Sequence, residues 1–273
     1  MEKLIKITRE ALDSKQVLPF SIYTCKSRQL LRGVPILKPV MVLVLKGEKH
    51  LAGEMSAVCQ QGRFVFLAEN PEVSISNIPG GDDYLALFIE FEYSDFEAVT
   101  STVNSRYLTG EMNTALVQCV TQFIEWSPVA PKEMWGIRRK ELIKLLCYQG
   151  YKEILSLVAK PRIHHQLIDV FREDPSVRWS INDVSKKLAM SESTLRRKLQ
   201  AEGTGFRDLN LQVRLGHGMH LLQTTNLAIS MVSEQCGYQS QSRFAEMFRE
   251  RFGLTPSQLR QSKREELGEI LSV

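Results

Sequence analysis

A short basic stretch near the C-terminus, Arg196-Arg197-Lys198, lies between leucines at positions 195 and 199. Residues four apart share one face of a helix, so these leucines can pack inward while the three cations remain outside. Arginine can donate two hydrogen bonds to the edge of a guanine, and lysine binds phosphate as a point charge. The chemistry that this stretch offers is therefore recognition of a polyanion rather than bond breaking.

A second stretch with the same design follows about 48 residues later. Its exposed side carries Gln241, Ser242, Arg243 and Glu246, while Phe244, Met247 and Phe248 are expected to face inward. Glutamine can bond to adenine in the major groove, and glutamate can accept from the amino group of cytosine. Both stretches therefore carry side chains that can distinguish bases.

Each stretch is preceded by the elements that could position it. In the first unit (about 180–202), Ser180 caps a short helix, Ala189-Met190-Ser191 forms a turn, and a second helix runs from Glu192 to about Ala201. In the second unit (about 228–252), a helix of residues 228–236 is followed by a turn beginning at Gly237 and by a helix that Ser240 caps. Helix, short turn and basic helix is the helix-turn-helix order.

The segment between the two units, Phe206–Thr224, has the composition of a connecting helix. About 17 helical residues would span ~25 Å, which with side-chain width can hold two recognition helices one DNA turn apart. Gly216 and Gly218 interrupt it, and each costs about 1 kcal/mol relative to alanine. We therefore expect a frayed or flexible connector.

Residues 160–273 resemble the DNA-binding domain of AraC/XylS-family transcription regulators. The resemblance rests on many residue types at fixed spacings in both units. The matching residues of the first unit are Ser191, Leu195, Arg197, Leu199 and Gly203. Those of the second unit are Ile229, Val232, Ser233, Gly237, Tyr238, Ser240, Ser242, Phe244, Phe248, Arg249, Gly253, Thr255, Pro256, Leu259 and Arg260.

The resemblance implies a role for individual residues on the two recognition helices. The family's base-reading positions correspond to Ser193, Arg196, Arg197, Gln241, Ser242, Arg243 and Glu246. Phosphate contacts are expected from Ser191, Lys198, Ser240 and Arg249. Several base readers, Arg197 and Arg243 among them, could instead contact only phosphate or solvent.

Besides Gly218, which stands where the family has alanine, four positions depart from the family pattern. Ser185 and Ser233 replace a buried alanine, and we expect their hydroxyls to bond back to the helix backbone. Leu259 replaces an aromatic residue. Glu246 replaces a frequent arginine, which lowers the attraction of the second unit for phosphate.

The N-terminal half has the pattern of a small β-barrel (about 20–93) followed by antiparallel helices (about 94–158). The apolar run of residues 40–45 predicts a buried strand, residues 46–49 a turn, and residues 84–89 another strand. Short strands with turns every 8–12 residues favour a β-sandwich or a barrel. This half loosely resembles the jelly-roll or cupin-like N-terminal arm of one branch of the family, which makes the whole chain α+β.

We place the domain boundary near Lys160, giving domains of 1–159 and 160–273. Pro161 suits the first position of the helix that follows, and His164-His165 is expected on the polar face of that helix. The first domain carries 18 basic and 18 acidic residues, whereas the second carries 17 and 13. A neutral regulatory module joined to a polyanion-binding module fits this distribution.

Composition narrows the class of protein. Apolar residues make up 43% and charged residues 24% of the 273, and no run of 18 apolar residues predicts a membrane span. The five dispersed cysteines fit neither a disulfide framework nor a zinc motif, and they indicate reduced thiols in the cytoplasm. The N-terminus lacks the apolar core of a signal peptide.

Enzymatic motifs are missing from the sequence, so no catalytic residue, cofactor or metal is expected. The predicted strands offer one histidine, His50, where a metal-dependent jelly-roll enzyme needs several ligands. Lys38, Lys46, His50 and Arg63 could pair with an anionic ligand, but we interpret each as a surface charge. No effector-binding residue is named, and a barrel filled by its own side chains stays an alternative.

The favoured hypothesis is a transcription regulator, an activator, that binds double-stranded promoter DNA as a homodimer and works with RNA polymerase. A small-molecule effector in the barrel is the first mechanism of control. The alternative is control by a protein partner or by dimerisation through the helices of residues 114–126 and 134–148. A barrel enzyme tethered to DNA is the remaining rival.

Overall fold

The structure is a computed structural model that describes residues 1–12, 14, 16–53, 56–96, 106–158 and 161–264. The chain divides into two compact units. Unit 1 comprises residues 1–159 with the described residues from Arg260 onward, and unit 2 comprises Lys160–Leu259. Ala159 and Lys160, where the sequence places the boundary, lie outside the described residues. Among the described residues, no helix is long and apolar enough to cross a membrane.

Two antiparallel sheets form the β part of unit 1. The strands are β1 (Ser21–Cys25), β2 (Gln29–Ile36), β3 (Val40–Lys46), β4 (Glu48–Ala52), β5 (Ala57–Gln60), β6 (Arg63–Leu67), β7 (Asn70–Ile78), β8 (Tyr84–Glu90) and β9 (Tyr107–Glu111). Their order is β1-β8-β3-β6-β9 in the five-stranded sheet and β2-β7-β4-β5 in the four-stranded sheet. The predicted α+β class with an N-terminal antiparallel β fold is confirmed.

The helices of unit 1 cover one face of the five-stranded sheet. They are α1 (Glu2–Leu12), α2 (Thr114–Trp126), α3 (Trp135–Tyr148) and α4 (Ile154–Leu157). Met41, Leu43 and Leu45 of β3 belong to the same buried cluster as Leu116 and Leu142 of α2 and α3. The intervening valines of β3 are also fully buried. Since neighbouring residues of a strand point to opposite faces, β3 lies between two layers, which explains its unbroken apolar sequence.

Two elements of unit 1 differ from the sequence prediction. Strand β9 lies inside the range 94–158 that was expected to be helical, and it pairs with β6 from Arg63↔Glu111 to Leu67↔Tyr107. Its five residues include Gly110 and lack a clear apolar alternation, so the local pattern is too weak to indicate a strand. Helix α1 was not predicted. Its amphipathic face buries Leu4, and Arg9 pairs with Asp83 at 2.8 Å.

Helices are the only regular secondary structure among the described residues of unit 2. Its helices are α5 (Ile163–Glu173), α6 (Ile181–Lys187), α7 (Glu192–Ala201), α8 (Phe206–Thr224), α9 (Ile229–Gln235), α10 (Gln241–Phe252) and the start of α11 (Pro256–Arg264). Both short-helix, turn, long-helix units occur at the predicted positions. The interior of this unit consists of leucine and phenylalanine side chains, with Leu195, Phe244 and Phe248 fully buried.

A row of polar side chains crosses the inner face of the four-stranded sheet. Asn77 of β7 stands between Gln29 of β2 and Lys49 of β4, and Lys49 pairs in register with Cys59 of β5. Lys49 Nζ donates to Asn77 Oδ1 at 2.7 Å, and Asn77 Nδ2 donates to Gln29 Oε1 at 3.0 Å. The predicted turn at residues 46–49 is therefore too long, since Lys49 alternates inward with Leu51 in β4.

Burial makes the Lys49 amine unusually easy to deprotonate. Its side chain is 1% exposed, and its Nζ lies 5.1 Å from the centre of the Phe88 ring and 5.8 Å from that of Tyr84. Loss of hydration disfavours the charged form and lowers the pKa of Lys49 to about 7 from 10.5. Near neutral pH the folded protein therefore releases a proton that the unfolded chain retains.

This pKa predicts a stability that rises with pH. Between about pH 7 and 10.5 the unfolded state binds more protons at Lys49, so the free energy of unfolding should increase by up to about 1.4 kcal/mol per pH unit. Urea unfolding followed by circular dichroism at several pH values from 7 to 9.5 measures this slope. The variant Lys49→Met should lose that part of the slope, and equal slopes in both proteins would contradict the assignment.

Candidate nucleic-acid interface

The first helix-turn-helix unit consists of α6, a short turn and α7. Ser180 caps α6 by accepting from Asp183 N at 3.1 Å, and Ser191 caps α7 by accepting from Thr194 N at 3.2 Å. Between the helices, Ala189 has a φ of 51°, in the left-handed region that reverses the chain. Both predicted serine caps are confirmed, and they define where each helix begins.

The second unit, α9, turn and α10, repeats this arrangement with glycines at its corners. Gly237 has a φ of 71°, and a Cβ atom there would lie 2.5 Å from the carbonyl oxygen of Ser176. Only glycine fits this combination of dihedral angle and close approach. Ser240 accepts from Arg243 N at 3.3 Å, and Gly253 ends α10 with a φ of 79°.

The recognition helices α7 and α10 separate apolar from polar residues sharply. Leu195 and Leu199 are buried in α7, as are Phe244, Phe248 and Phe252 in α10. All the residues that the sequence assigned to DNA are exposed: Ser191, Ser193, Arg196, Arg197, Lys198, Ser240, Gln241, Ser242, Arg243, Glu246 and Arg249. Packing thus leaves these side chains accessible to a partner, while their individual base or phosphate contacts stay predictions.

Both recognition helices carry an ion pair on the exposed side, and the two pairs differ. In α10, Arg243 Nη1 donates to Glu246 Oε2 at 2.5 Å. In α7, Arg196 Nη2 lies 3.9 Å from Glu192 Oε2, beyond hydrogen-bond distance. Glu192 was not predicted to contact Arg196, although its i,i+4 spacing from Arg196 is a signal for such a pair.

The connecting helix α8 is continuous through both glycines, which contradicts the predicted fraying. Its 19 residues span about 28 Å. Gly218 is buried, and a Cβ atom there would lie 2.8 Å from the Phe244 ring and 3.1 Å from Cys236 Sγ. The missing side chain allows close packing between helices, which compensates for the low helix propensity of glycine.

Arg214 provides a second connection between α8 and the second helix-turn-helix unit. Its Nε donates to the carbonyl oxygen of Cys236 at 2.5 Å, and its guanidinium lies 4.4 Å from the centre of the Tyr238 ring. The carbonyl belongs to the last residue before the Gly237 turn. Arg214 therefore holds this turn, and hence the start of α10, against the connecting helix.

Glu202, directly after α7, connects the first helix-turn-helix unit to α5. Its carboxylate accepts from Ile163 N at 3.0 Å, His164 N at 3.1 Å and His164 Nδ1 at 2.5 Å. Burial opposes ionisation of this group, but these hydrogen bonds together outweigh it and lower the pKa of Glu202. The carboxylate thus satisfies amides at the start of α5, where backbone donors have no helical partner.

Two details of α5 were predicted wrongly. His164 and His165 are buried rather than on a polar face, with exposures of 6% and 3%. His164 faces Glu202, and His165 Nδ1 accepts from Arg162 N at 2.7 Å. The cap of α5 is Arg162, so Pro161 precedes the helix rather than occupying its first position.

The predicted bond from Ser185 to the helix backbone is absent. Ser185 is 3% exposed in α6, and its hydroxyl has no hydrogen-bond partner. Ser233, in the matching position of α9, is 2% exposed. The hydroxyl of Ser185 therefore adds a desolvation cost in the interior of the first unit.

Comparisons with known proteins agree with this geometry. Residues 184–262 match the family described as "Helix-turn-helix domain". The urease operon transcriptional activator of Escherichia coli is 33% identical over 127 residues, which span 45% of this chain and 43% of that protein. The transcriptional activator PerA of E. coli O127:H6 is 26% identical over 200 residues, spanning 70% of this chain and 73% of PerA.

A solved structure resembles both halves of the chain. Wild-type ToxT from Vibrio cholerae, described as bound to an unsaturated fatty acid, aligns with a TM-score of 0.62 at 13% identity. The alignment covers 89% of this chain and 95% of ToxT. At this identity the match establishes a common fold.

The helix-turn-helix units α6–α7 and α9–α10 together define a double helix-turn-helix domain, a class of DNA-binding domain. The matched domain and the transcriptional activators similar to this chain confirm the resemblance of residues 160–273 to AraC/XylS-family regulators.

Replacing serine by alanine should have opposite effects on stability at two positions of the first helix-turn-helix unit, Ser185 inside α6 and Ser180 at its N-terminal cap. Ser185→Ala should raise the free energy of unfolding of this domain by about 1 kcal/mol, because it removes a buried group without a partner. Ser180→Ala, the matched control, should lower it by about 1 kcal/mol because the cap is lost. Urea unfolding measures both, and changes of the same sign would argue against this interpretation.

Proposed function

We propose that this protein is a sequence-specific transcription regulator, an activator that binds promoter DNA through α7 and α10. The observation that carries the proposal is the pair of helix-turn-helix units joined by one unbroken helix. Each unit buries the apolar side of its recognition helix and exposes Arg, Gln and Ser side chains, and the first unit adds Lys198. Those side chains match donors and acceptors in the major groove.

The length of α8 supports simultaneous reading of two major grooves. Its ~28 Å, with the width of the packed side chains added, is compatible with recognition helices separated by ~34 Å, one turn of DNA. Arg214 and Gly218 pack α8 against the second helix-turn-helix unit. A rigid separation makes the spacing between the two half-sites part of the sequence that is recognised.

Within this interface, we assign base reading to Ser193, Arg196, Arg197, Gln241, Ser242, Arg243 and Glu246. Phosphate contacts are assigned to Ser191, Lys198, Ser240 and Arg249. The serines cap the recognition helices, where free backbone amides and the helix dipole favour an anion. The division of labour is testable because base readers change specificity while phosphate contacts change affinity alone.

Arg196 and Lys198 provide the test. Arg196→Ala should weaken binding to the preferred site by about 1–3 kcal/mol and relax the preference at one base pair. Lys198→Ala should weaken binding to all sequences alike and reduce the salt slope by about 1. Fluorescence anisotropy with a preferred duplex, its single-base variants and a salt series distinguishes them. A uniform loss in both variants would remove Arg196 from the base readers.

Unit 1 is proposed to control this binding in response to a small molecule. The support is the fold shared with ToxT, whose structure holds an unsaturated fatty acid. The cations considered in the sequence all lie near carboxylates of this chain: Lys38–Glu92 at 2.7 Å, Lys46–Asp83 at 3.4 Å, His50–Glu48 at 2.9 Å and Arg63–Glu111 at 3.2 Å. These four are therefore not our candidates for holding an anionic ligand.

Control by a second copy of the chain is the alternative proposal, and α3 favours it. Ile137 and Tyr148 of this helix are 57% and 92% exposed, and Val129 before it is 80% exposed. Burial of these exposed apolar side chains against a second copy would be favourable. An activator of this type would in addition contact RNA polymerase.

Ligand stabilisation separates the two modes of control. An unsaturated fatty acid, the class bound in ToxT, should raise the midpoint of thermal unfolding, since binding at 100 times Kd adds about 2.7 kcal/mol. The corresponding alcohol is the control for detergent-like effects. No shift, together with no small molecule in an organic extract of the purified protein, would favour control by association. Sedimentation analysis should then detect a dimer.

A further inference from the structure

The second recognition helix carries its arginine and its glutamate as a preformed pair. Arg243 and Glu246 are one helical turn apart, and the Nη1–Oε2 distance is 2.5 Å. Their side chains remain 60% and 64% exposed. The pair therefore lies on the exposed surface of α10, outside the buried core of the domain.

The pair leaves most of the arginine available for DNA. A guanidinium has five N–H donors, and the bond to Glu246 uses one of them. The remaining donors can reach the O6 and N7 acceptors of guanine. A carboxylate that holds one side of the guanidinium reduces the number of orientations that the arginine samples before it binds.

The same carboxylate imposes a selection on the neighbouring base. A negative charge that enters the groove is repelled by the phosphates of both strands. It is tolerated where a base edge donates to it, and the major groove offers such donors in the amino groups of cytosine and adenine. Bases that present acceptors or a methyl group at that point leave the carboxylate unpaired and desolvated.

We propose that Arg243 and Glu246 read DNA as one unit, in which Glu246 orients Arg243 toward a guanine and excludes neighbouring edges that cannot donate to it. The inference rests on the proposed function, because it assumes that α10 enters the major groove. Glu246 is then a determinant of specificity that costs affinity. The first helix-turn-helix unit differs, since the 3.9 Å between Arg196 Nη2 and Glu192 Oε2 leaves Arg196 without a hydrogen bond to that carboxylate.

The helix supplies a matched control for charge. Glu250 lies four residues beyond Glu246 in α10 and is also exposed. Glu246→Gln and Glu250→Gln each remove one negative charge from the same helix, so any general gain in attraction for DNA should occur in both. A change of base preference should occur in Glu246→Gln alone.

The experiment measures affinity of the full chain for a duplex selected from random sequences and for all its single-base-pair replacements. The variants are Glu246→Gln, Glu250→Gln, Arg243→Ala and Arg196→Ala. We expect Glu246→Gln and Arg243→Ala to lower discrimination at the same base pair or its neighbour by about fivefold or more. Glu250→Gln should keep the preferences of the parent protein.

Two other results would overturn the proposal, and they are distinguishable. If Glu246→Gln binds every duplex more tightly by one factor, as Glu250→Gln does, Glu246 acts by charge alone. In that case Arg196→Ala still loses discrimination at a separate base pair, and the proposed function stands. If the parent protein prefers no sequence, both the pair and the proposed function are wrong. Circular dichroism of each variant checks that α10 remains folded.

Discussion

The contact between Gly218 and the ring of Phe244 is the constraint on which the DNA-binding domain depends. It allows α8 to approach α10 more closely than any side chain at residue 218 would permit. Phe244 is fully buried, and it precedes by two residues the exposed Glu246. The position of the recognition surface therefore follows from a buried contact. Arg214, at the turn before α10, supports the same junction.

Polar groups in this protein have opposite roles in the two units. In unit 1, the polar row through Asn77 is enclosed between sheets, where Lys49 is 1% exposed and its charge is costly. In unit 2, the polar side chains of the recognition helices are exposed, and their charges are free to meet a partner. The near-neutral net charge of the first half and the basic character of the second agree with this division.

Local sequence signals predicted the helix-turn-helix units well. Serine caps, a left-handed glycine and a spacing of four between apolar residues act within one or two turns, so the bounds of α7 and α10 were predicted correctly. The failures involve distant partners. The burial of His164 depends on Glu202, and the inward position of Lys49 depends on Asn77. The continuity of α8 depends on Phe244, which lies 26 residues after Gly218.

We propose that one chain presents two recognition helices at a fixed separation to successive major grooves. Hydroxyl-radical footprinting of the full chain on a duplex selected from random sequences tests this arrangement. We expect two protected blocks on one face of the DNA, with centres about one helical turn apart, ~10–10.5 base pairs. A single protected block for each bound chain, or two blocks on opposite faces of the duplex, would contradict it.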